Sequence, residues 1–130
     1  MKIIDGKNAV LGRLASYVAK EALKGEEIVV LNCDQVIITG NKKDIKGKFE
    51  ARRSRIGSSQ KGPKHRRPSQ MIVKRTIRGM LPDHRTGRGR EAFKKIKCYG
   101  GVPKEFEESK KIIAGKEKTS KFIRVKDITK

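Results

Sequence analysis

The residues of this chain best equipped for chemistry are its bases, and the chemistry they offer is anion binding. Residues 46–97 carry 18 Lys or Arg against three acids, Glu50, Asp83 and Glu91, so this stretch holds +15 of a total net charge of +20. The first 45 residues carry seven bases against six acids, and the last 33 carry nine against five. Charge this uneven repels itself in a compact fold unless a polyanion neutralises it. The polyanion that fits is nucleic acid.

Other groupings offer less. Gly6-Lys7-Asn8-Ala9-Val10-Leu11-Gly12-Arg13 has the outline of a phosphate loop, but that motif needs four residues between its glycines and then Lys with Ser or Thr. Five intervene here, and Arg13-Leu14 supplies neither the lysine nor the hydroxyl. Nucleotide hydrolysis is therefore not expected, although amides at the start of the first helix, with Arg13 beside them, could hold a nucleic-acid phosphate. Cys33, His65, His84 and Cys98 contain no pair at the roughly two-to-four-residue spacing of zinc modules, so no metal is expected. The cationic surroundings of both histidines favour the neutral ring. Tyr17, Phe49, Phe93, Tyr99, Phe106 and Phe122 are scattered at core-like positions, without the clustered rings of single-strand readers. Recognition is expected to run through phosphates, 2′-hydroxyls and shape, with little base reading. Nothing points to a catalytic constellation, a cofactor or a small-molecule substrate.

Those bases need a scaffold. At 130 residues the chain is expected to form one domain, long enough to bury about two-thirds of its unfolded surface. Apolar residues make up 35% and charged residues 37%, which implies a modest core with much of the chain outside it. No run of about 18 apolar residues exists, so no membrane span is expected. Met1-Lys2 leads straight into Ile3-Ile4-Asp5 without a signal-like apolar segment, and two isolated cysteines suggest reduced intracellular thiols. A cytosolic, partner-dependent protein is the expectation.

The N-terminal third alternates strand and helix. Leu11, Leu14, Ala15, Val18, Ala19, Ala22 and Leu23 fall at helical spacing, and Gly25 is placed to cap that helix. Ile28-Val29-Val30-Leu31 is the continuous β-branched run of a strand covered on both faces, and Val36-Ile37-Ile38 repeats it. Strand, helix and strand with short links predict a right-handed crossover in an α/β core. Asn41 can cap a helix from Lys42 to about Arg53. Residues 54–70 have too few apolar side chains to offset ordering entropy, so alone they are expected to be mobile. From Ser69 to Leu81, Val73, Ile77, Met80 and Leu81 share one helix face and Lys74, Arg75 and Arg78 the other, with no acid to pair them. Pro82 stops that helix. Arg85 to Arg90 reads as an exposed basic turn before a short helix through Ala92, Phe93 and Ile96. Lys104 to Lys111 reads as a solvated helix, and Phe122 to Ile128 as a final strand or tail.

Three blocks then occur in a telling order: Val10-Leu11-Gly12-Arg13-Leu14-Ala15-Ser16, Thr39-Gly40-Asn41-Lys42, and Arg75-Thr76-Ile77-Arg78-Gly79-Met80-Leu81-Pro82. Together they resemble the universally distributed large-subunit ribosomal protein family thirteen, across nearly the whole chain. Residues His65 to Pro103 resemble its archaeal and eukaryotic branch, and the chain's stop soon after the core favours an archaeal source. The resemblance implies a three-layer α/β/α domain around a mostly parallel four-stranded sheet. It also implies basic extensions on large-subunit ribosomal RNA, an early role in subunit assembly, neighbouring ribosomal proteins as partners, and no catalysis.

On this reading residues 1–53 and 98–130 are mainly the α/β platform, and residues 54–97 are the basic RNA-binding loop and helices. Arg52, Arg53, Arg55, Lys61, Lys64, His65, Arg66 and Arg67 would line an RNA cleft as the loop orders. Lys74, Arg75 and Arg78 would lay one helix face on phosphates. Arg85, Arg88, Arg90, Lys94 and Lys95 would continue that track, with Arg13, Lys42 and Lys43 adding to it from the platform. Because arginine bridges phosphates bidentately, Arg-to-Lys changes here should weaken binding. Homo-oligomerisation is not expected. A free-standing nucleic-acid binder, either a chromatin-like duplex coat or a messenger-binding regulator, shares the charge pattern. A nucleotide-dependent enzyme on the α/β core would need nucleotide binding that the Gly6 to Arg13 spacing does not predict.

Overall fold

The computed structural model describes residues 1–55, 57 and 62–129. The chain begins with β1 (Lys2–Asp5), α1 (Leu11–Leu23), β2 (Ile28–Leu31) and β3 (Ile37–Thr39). Three helices follow, α2 (Lys42–Ser54), α3 (Ser69–Met80) and α4 (Gly87–Lys94). It ends with β4 (Ile96–Cys98), β5 (Ile112–Ile113), β6 (Phe122–Arg124) and α5 (Val125–Ile128).

The first unit follows its apolar spacing. Leu11, Leu14, Ala15, Val18, Ala19 and Ala22 are the buried stripe of α1, whereas Leu23 at its edge is exposed. Gly25 follows at φ +96°, the left-handed backbone that glycine adopts without Cβ strain. All four residues of β2 are buried. It pairs in parallel with β1, Lys2 opposite Ile28 and Asp5 opposite Leu31. β4 joins outside β2 and β5 outside β1, both in parallel, giving the order β4-β2-β1-β5. The four-stranded parallel sheet of a single α/β domain is thus in place.

Other expectations change. Val36-Ile37-Ile38 does not add to this sheet: β3 pairs antiparallel with β6, Ile38 opposite Ile123. The chain leaves the sheet because Asn32 takes the left-handed region at φ 56° and a 3-10 turn follows at Cys33–Gln35. Asn tolerates that backbone, and its Nδ2 donates to Asp5 Oδ1 at 2.8 Å. Lys104 to Lys111 is no helix beyond a 3-10 turn at Lys104–Phe106, since it offers no apolar stripe to bury. Its half-buried ring, Phe106, lies 5.9 Å from Tyr99. Arg85 to Arg90 is not all turn, for α4 starts at Gly87 and carries Arg88 and Arg90. Asp83 closes the turn early by accepting from the Arg85 amide at 3.1 Å and the Thr86 hydroxyl at 3.0 Å. Gly89 then seats α4 against the preceding backbone, where a Cβ would stand 2.1 Å from the Pro82 carbonyl oxygen.

The basic middle segment is also core. Ile72, Val73, Ile77, Ala92 and Ile96 belong to the same buried cluster as Ile4, Val18, Ile28 and Val30. α3 packs on α1 and on β4. Met80, expected on the buried face, is exposed, and Ile72 takes its place in the core. Ser69 is buried and its hydroxyl donates to Asp34, which fixes the start of α3 on the Cys33–Gln35 turn. The cysteines meet there too: the Cys33 amide donates to the Tyr99 carbonyl at 3.1 Å, and both are free thiols. The thiol–thiol interaction with Cys98, then burial, pushes the Cys33 thiol up, and the same interaction holds Cys98 below the ordinary thiol value against its own burial.

Glu21 is buried on α1, where it accepts hydrogen bonds from Lys2 of β1 and from Lys24. Lys2 first and Lys24 second hold its carboxyl below the ordinary 4.5. A lowered folded-state pKa stabilises the fold above the unfolded value and loses that contribution as pH falls through the folded one. Glu21→Gln should therefore melt lower than the parent at pH 7. Melting curves of both proteins should converge as pH drops below 4.5, and a constant gap down to strong acid would contradict the linkage.

Candidate nucleic-acid interface

Two helices present the bases as a groove. α2 is capped by Asn41, whose side chain accepts from the Lys43 amide at 3.1 Å. It buries only Ile45 fully, with Phe49 packed partly against the core, so the rest of its surface is charged. Phe49, Arg52 and Arg53 stand at i, i+3 and i+4 and therefore share a face. On α3 the same spacing brings Met71, Lys74, Arg75 and Arg78 together. Between these faces lies a cavity of about 510 Å³, walled further by Lys64, His65 and Arg66 of the connecting segment.

Its electrostatics are one-sided. No carboxylate is among the described residues that line the cavity. Among the described residues the only acid–base pairs within ion-pair distance join Glu21 to Lys2 and Lys24, so no described base from Lys42 to Lys97 is paired. Burial, then Arg78 and Arg52, lower the Arg75 pKa. Burial, then Arg75, Arg52, Arg55 and Arg53, lower that of His65, as its cationic surroundings predict. Cations held this close without counter-charge make a site poised for an anion.

The predicted residues divide by placement. Arg52, Lys64, His65, Arg66, Lys74, Arg75 and Arg78 converge on the groove. Arg53 also lines it, yet its Nη2 donates to the Ile128 carbonyl at 3.0 Å and ties α2 to α5. Lys74 Nζ lies 5.1 Å from the centre of the Phe93 ring. Lys95 donates to the Gly25 carbonyl at 3.3 Å and so holds the end of α1. Lys42 and Lys43 border a second hollow with Ser120 and Lys121. Arg13, Arg55, Arg67, Arg85, Arg88, Arg90 and Lys94 are exposed, each outside the groove, and Lys61 lies outside the described residues. Sequence reasoning missed Phe49, Met71 and Phe93 as groove-lining residues, although the i, i+3, i+4 spacing of Phe49 and Met71 from the arginines signals it.

The Gly6 to Ala9 turn is spent on the fold. The Gly6 amide donates to Leu31, Asn8 to Gln35 and Ala9 to Gly6, and the Lys7 amide donates to Asp5 Oδ1. A Cβ on Gly6 would meet the Leu31 oxygen at 2.9 Å. These amides are not free to cradle a phosphate. Among the described residues no cluster of three or more His, Cys, Asp or Glu could hold a metal, and no helix is long and apolar enough to cross a membrane.

Comparison with known proteins is consistent across the chain. The family described as Ribosomal protein L13 matches residues 1–105. A large ribosomal subunit protein uL13 from Methanocaldococcus jannaschii is 44% identical over 133 residues, covering 100% of this chain and 96% of the relative. Its counterpart in Methanopyrus kandleri is 50% identical over 107 residues, 82% of this chain and 66% of the relative. The Caenorhabditis elegans protein of the same name is 44% identical over 115 residues, 86% of this chain and 56% of the relative. Archaeal and eukaryotic relatives thus both match, as the His65 to Pro103 segment suggested. The chain belongs to the ribosomal protein L13 family.

Proposed function

We propose that this chain is a structural, non-catalytic component of the large ribosomal subunit that grips large-subunit ribosomal RNA and supports early assembly. The observation that carries this reading is the groove between α2 and α3, where Arg52, Arg75 and Arg78 converge with no carboxylate among its described lining residues. Charge-assisted bonds from guanidinium groups to phosphates are about twice as strong as neutral ones, and fork geometry lets each arginine bridge two oxygens. Arg85, Arg88 and Arg90 extend the basic surface along α4 and the turn before it. The sheet and α1 act as the platform, with neighbouring ribosomal proteins and RNA as partners in the ribosome. Family membership supports this function over a free-standing nucleic-acid binder, because the relatives carry large-subunit names.

Sucrose-gradient sedimentation of a tagged chain at physiological salt separates the two. Co-migration with the large subunit is the expected result. Recovery with DNA or free messenger, away from ribosomal particles, would contradict it.

A further inference from the structure

We propose that the groove between α2 and α3 seats one unpaired nucleotide of the RNA, its base on the apolar floor and its phosphate on the arginine rim. The inference rests on the RNA-binding function above and names what that groove takes. A continuous duplex presents its phosphates on a convex surface, which an exposed basic face can track without any recess. This protein has such exposed bases, yet beside them it keeps a cavity of about 510 Å³. That volume falls within the range of roughly 300–1,000 Å³ typical of ligand pockets.

The lining is amphipathic in the way a nucleotide is. Phe49, Met71, Ile72 and Phe93 supply an apolar floor, with Met71 37% exposed and so partly uncovered. The Arg52 guanidinium lies 5.7 Å from the centre of the Phe49 ring, and its exposed side offers a planar cation on which a base can stack. Arg75 and Arg78 stand one helical turn apart on the opposite wall. Arg53 also lines the groove, its Nη2 held by the Ile128 carbonyl at 3.0 Å. A phosphate alone would satisfy the rim and leave the floor wet. An apolar ligand would do the reverse, and an extruded nucleotide answers both.

The test uses the full chain with two RNA probes, a continuous duplex and the same duplex carrying one bulged 2-aminopurine nucleotide. The bulged probe should bind tighter by roughly 5- to 100-fold, the range for stacking one base, and its fluorescence should change as the base enters the groove. Phe49→Leu, which keeps an apolar side chain against the core, should narrow that ratio. A variant that merely misfolds would lower both affinities together and leave the ratio unchanged, so the ratio isolates the seat. Equal affinities for the two probes, with unchanged 2-aminopurine emission, would overturn the nucleotide seat while leaving the RNA-binding function standing. Binding of neither probe would overturn both.

Discussion

Replacing Arg52, Arg75 and Arg78 together with glutamine is expected to weaken binding to a large-subunit ribosomal RNA fragment by on the order of 10²- to 10³-fold, at unchanged melting temperature. A hydrogen bond to a charged group contributes roughly 1.5–3 kcal/mol when both partners are present, and three neighbouring ones do not add fully. The loss corresponds to two or three such contacts. Stability should hold because none of the three has an ion-pair partner among the described residues to lose, and Arg75 gives up only a long, exposed bond from its Nη1 to the Lys64 carbonyl at 3.4 Å. Burial first, and then repulsion from Arg78 and Arg52, lower the Arg75 pKa, so relief of that repulsion acts in the opposite direction to any loss of packing. Arg53 is left out of the set because its bond to the Ile128 carbonyl holds α2 on α5. Fluorescence anisotropy at fixed salt reads the affinity, and calorimetry reads the melting. A triple variant that binds as tightly as the parent would remove the groove from the RNA interface.

The second large effect runs the other way. Ile77 is 0% exposed and sits in the middle of α3, where that helix packs on α1. Ile77→Ala removes three carbons from a close-packed site and should cost about 2–5 kcal/mol, the range for emptying a buried aliphatic position. For a chain of this size that is a drop of roughly 6–15 °C in melting temperature. Below that melting point the variant should still bind RNA close to normally, because Lys74, Arg75 and Arg78 leave α3 on its other face. The two variants together separate platform from grip: one loses affinity with its fold intact, the other loses stability with its affinity intact. If Ile77→Ala weakened RNA binding as much as the triple arginine change while still folded, the division of α3 into two faces would be wrong.

Much of this was legible in the residues. The Leu11 to Ala22 stripe and the Ile28 to Leu31 run specify a helix and a buried strand by local periodicity alone, and both lie where that spacing puts them. Non-local pairing was harder to read. β3 looks like β2 in composition, but Asn32 turns the chain aside and its partner β6 comes from the far end of the sequence. β5 is two residues long and pairs only with Ile4 and Asp5, too short for any periodicity to show. The site was legible as charge but not as shape. Counting bases identified Arg52, Arg75 and Arg78, whereas the groove between them depends on how α2 and α3 diverge from the core. Phe49 and Phe93 read as core residues because a half-buried ring and a pocket wall look alike in sequence.

Salt titration of the wild-type chain on a large-subunit ribosomal RNA fragment tests the central claim most directly, since only neutralised phosphates release counterions. If roughly six to ten phosphates are covered, affinity should fall on the order of 10³- to 10⁵-fold between 50 and 200 mM salt, on the duplex-DNA scale. The slope of log affinity against log salt should then shrink by about 2–3 in the triple arginine variant, near one for each charge removed. A flat titration of the wild-type protein would contradict the phosphate grip.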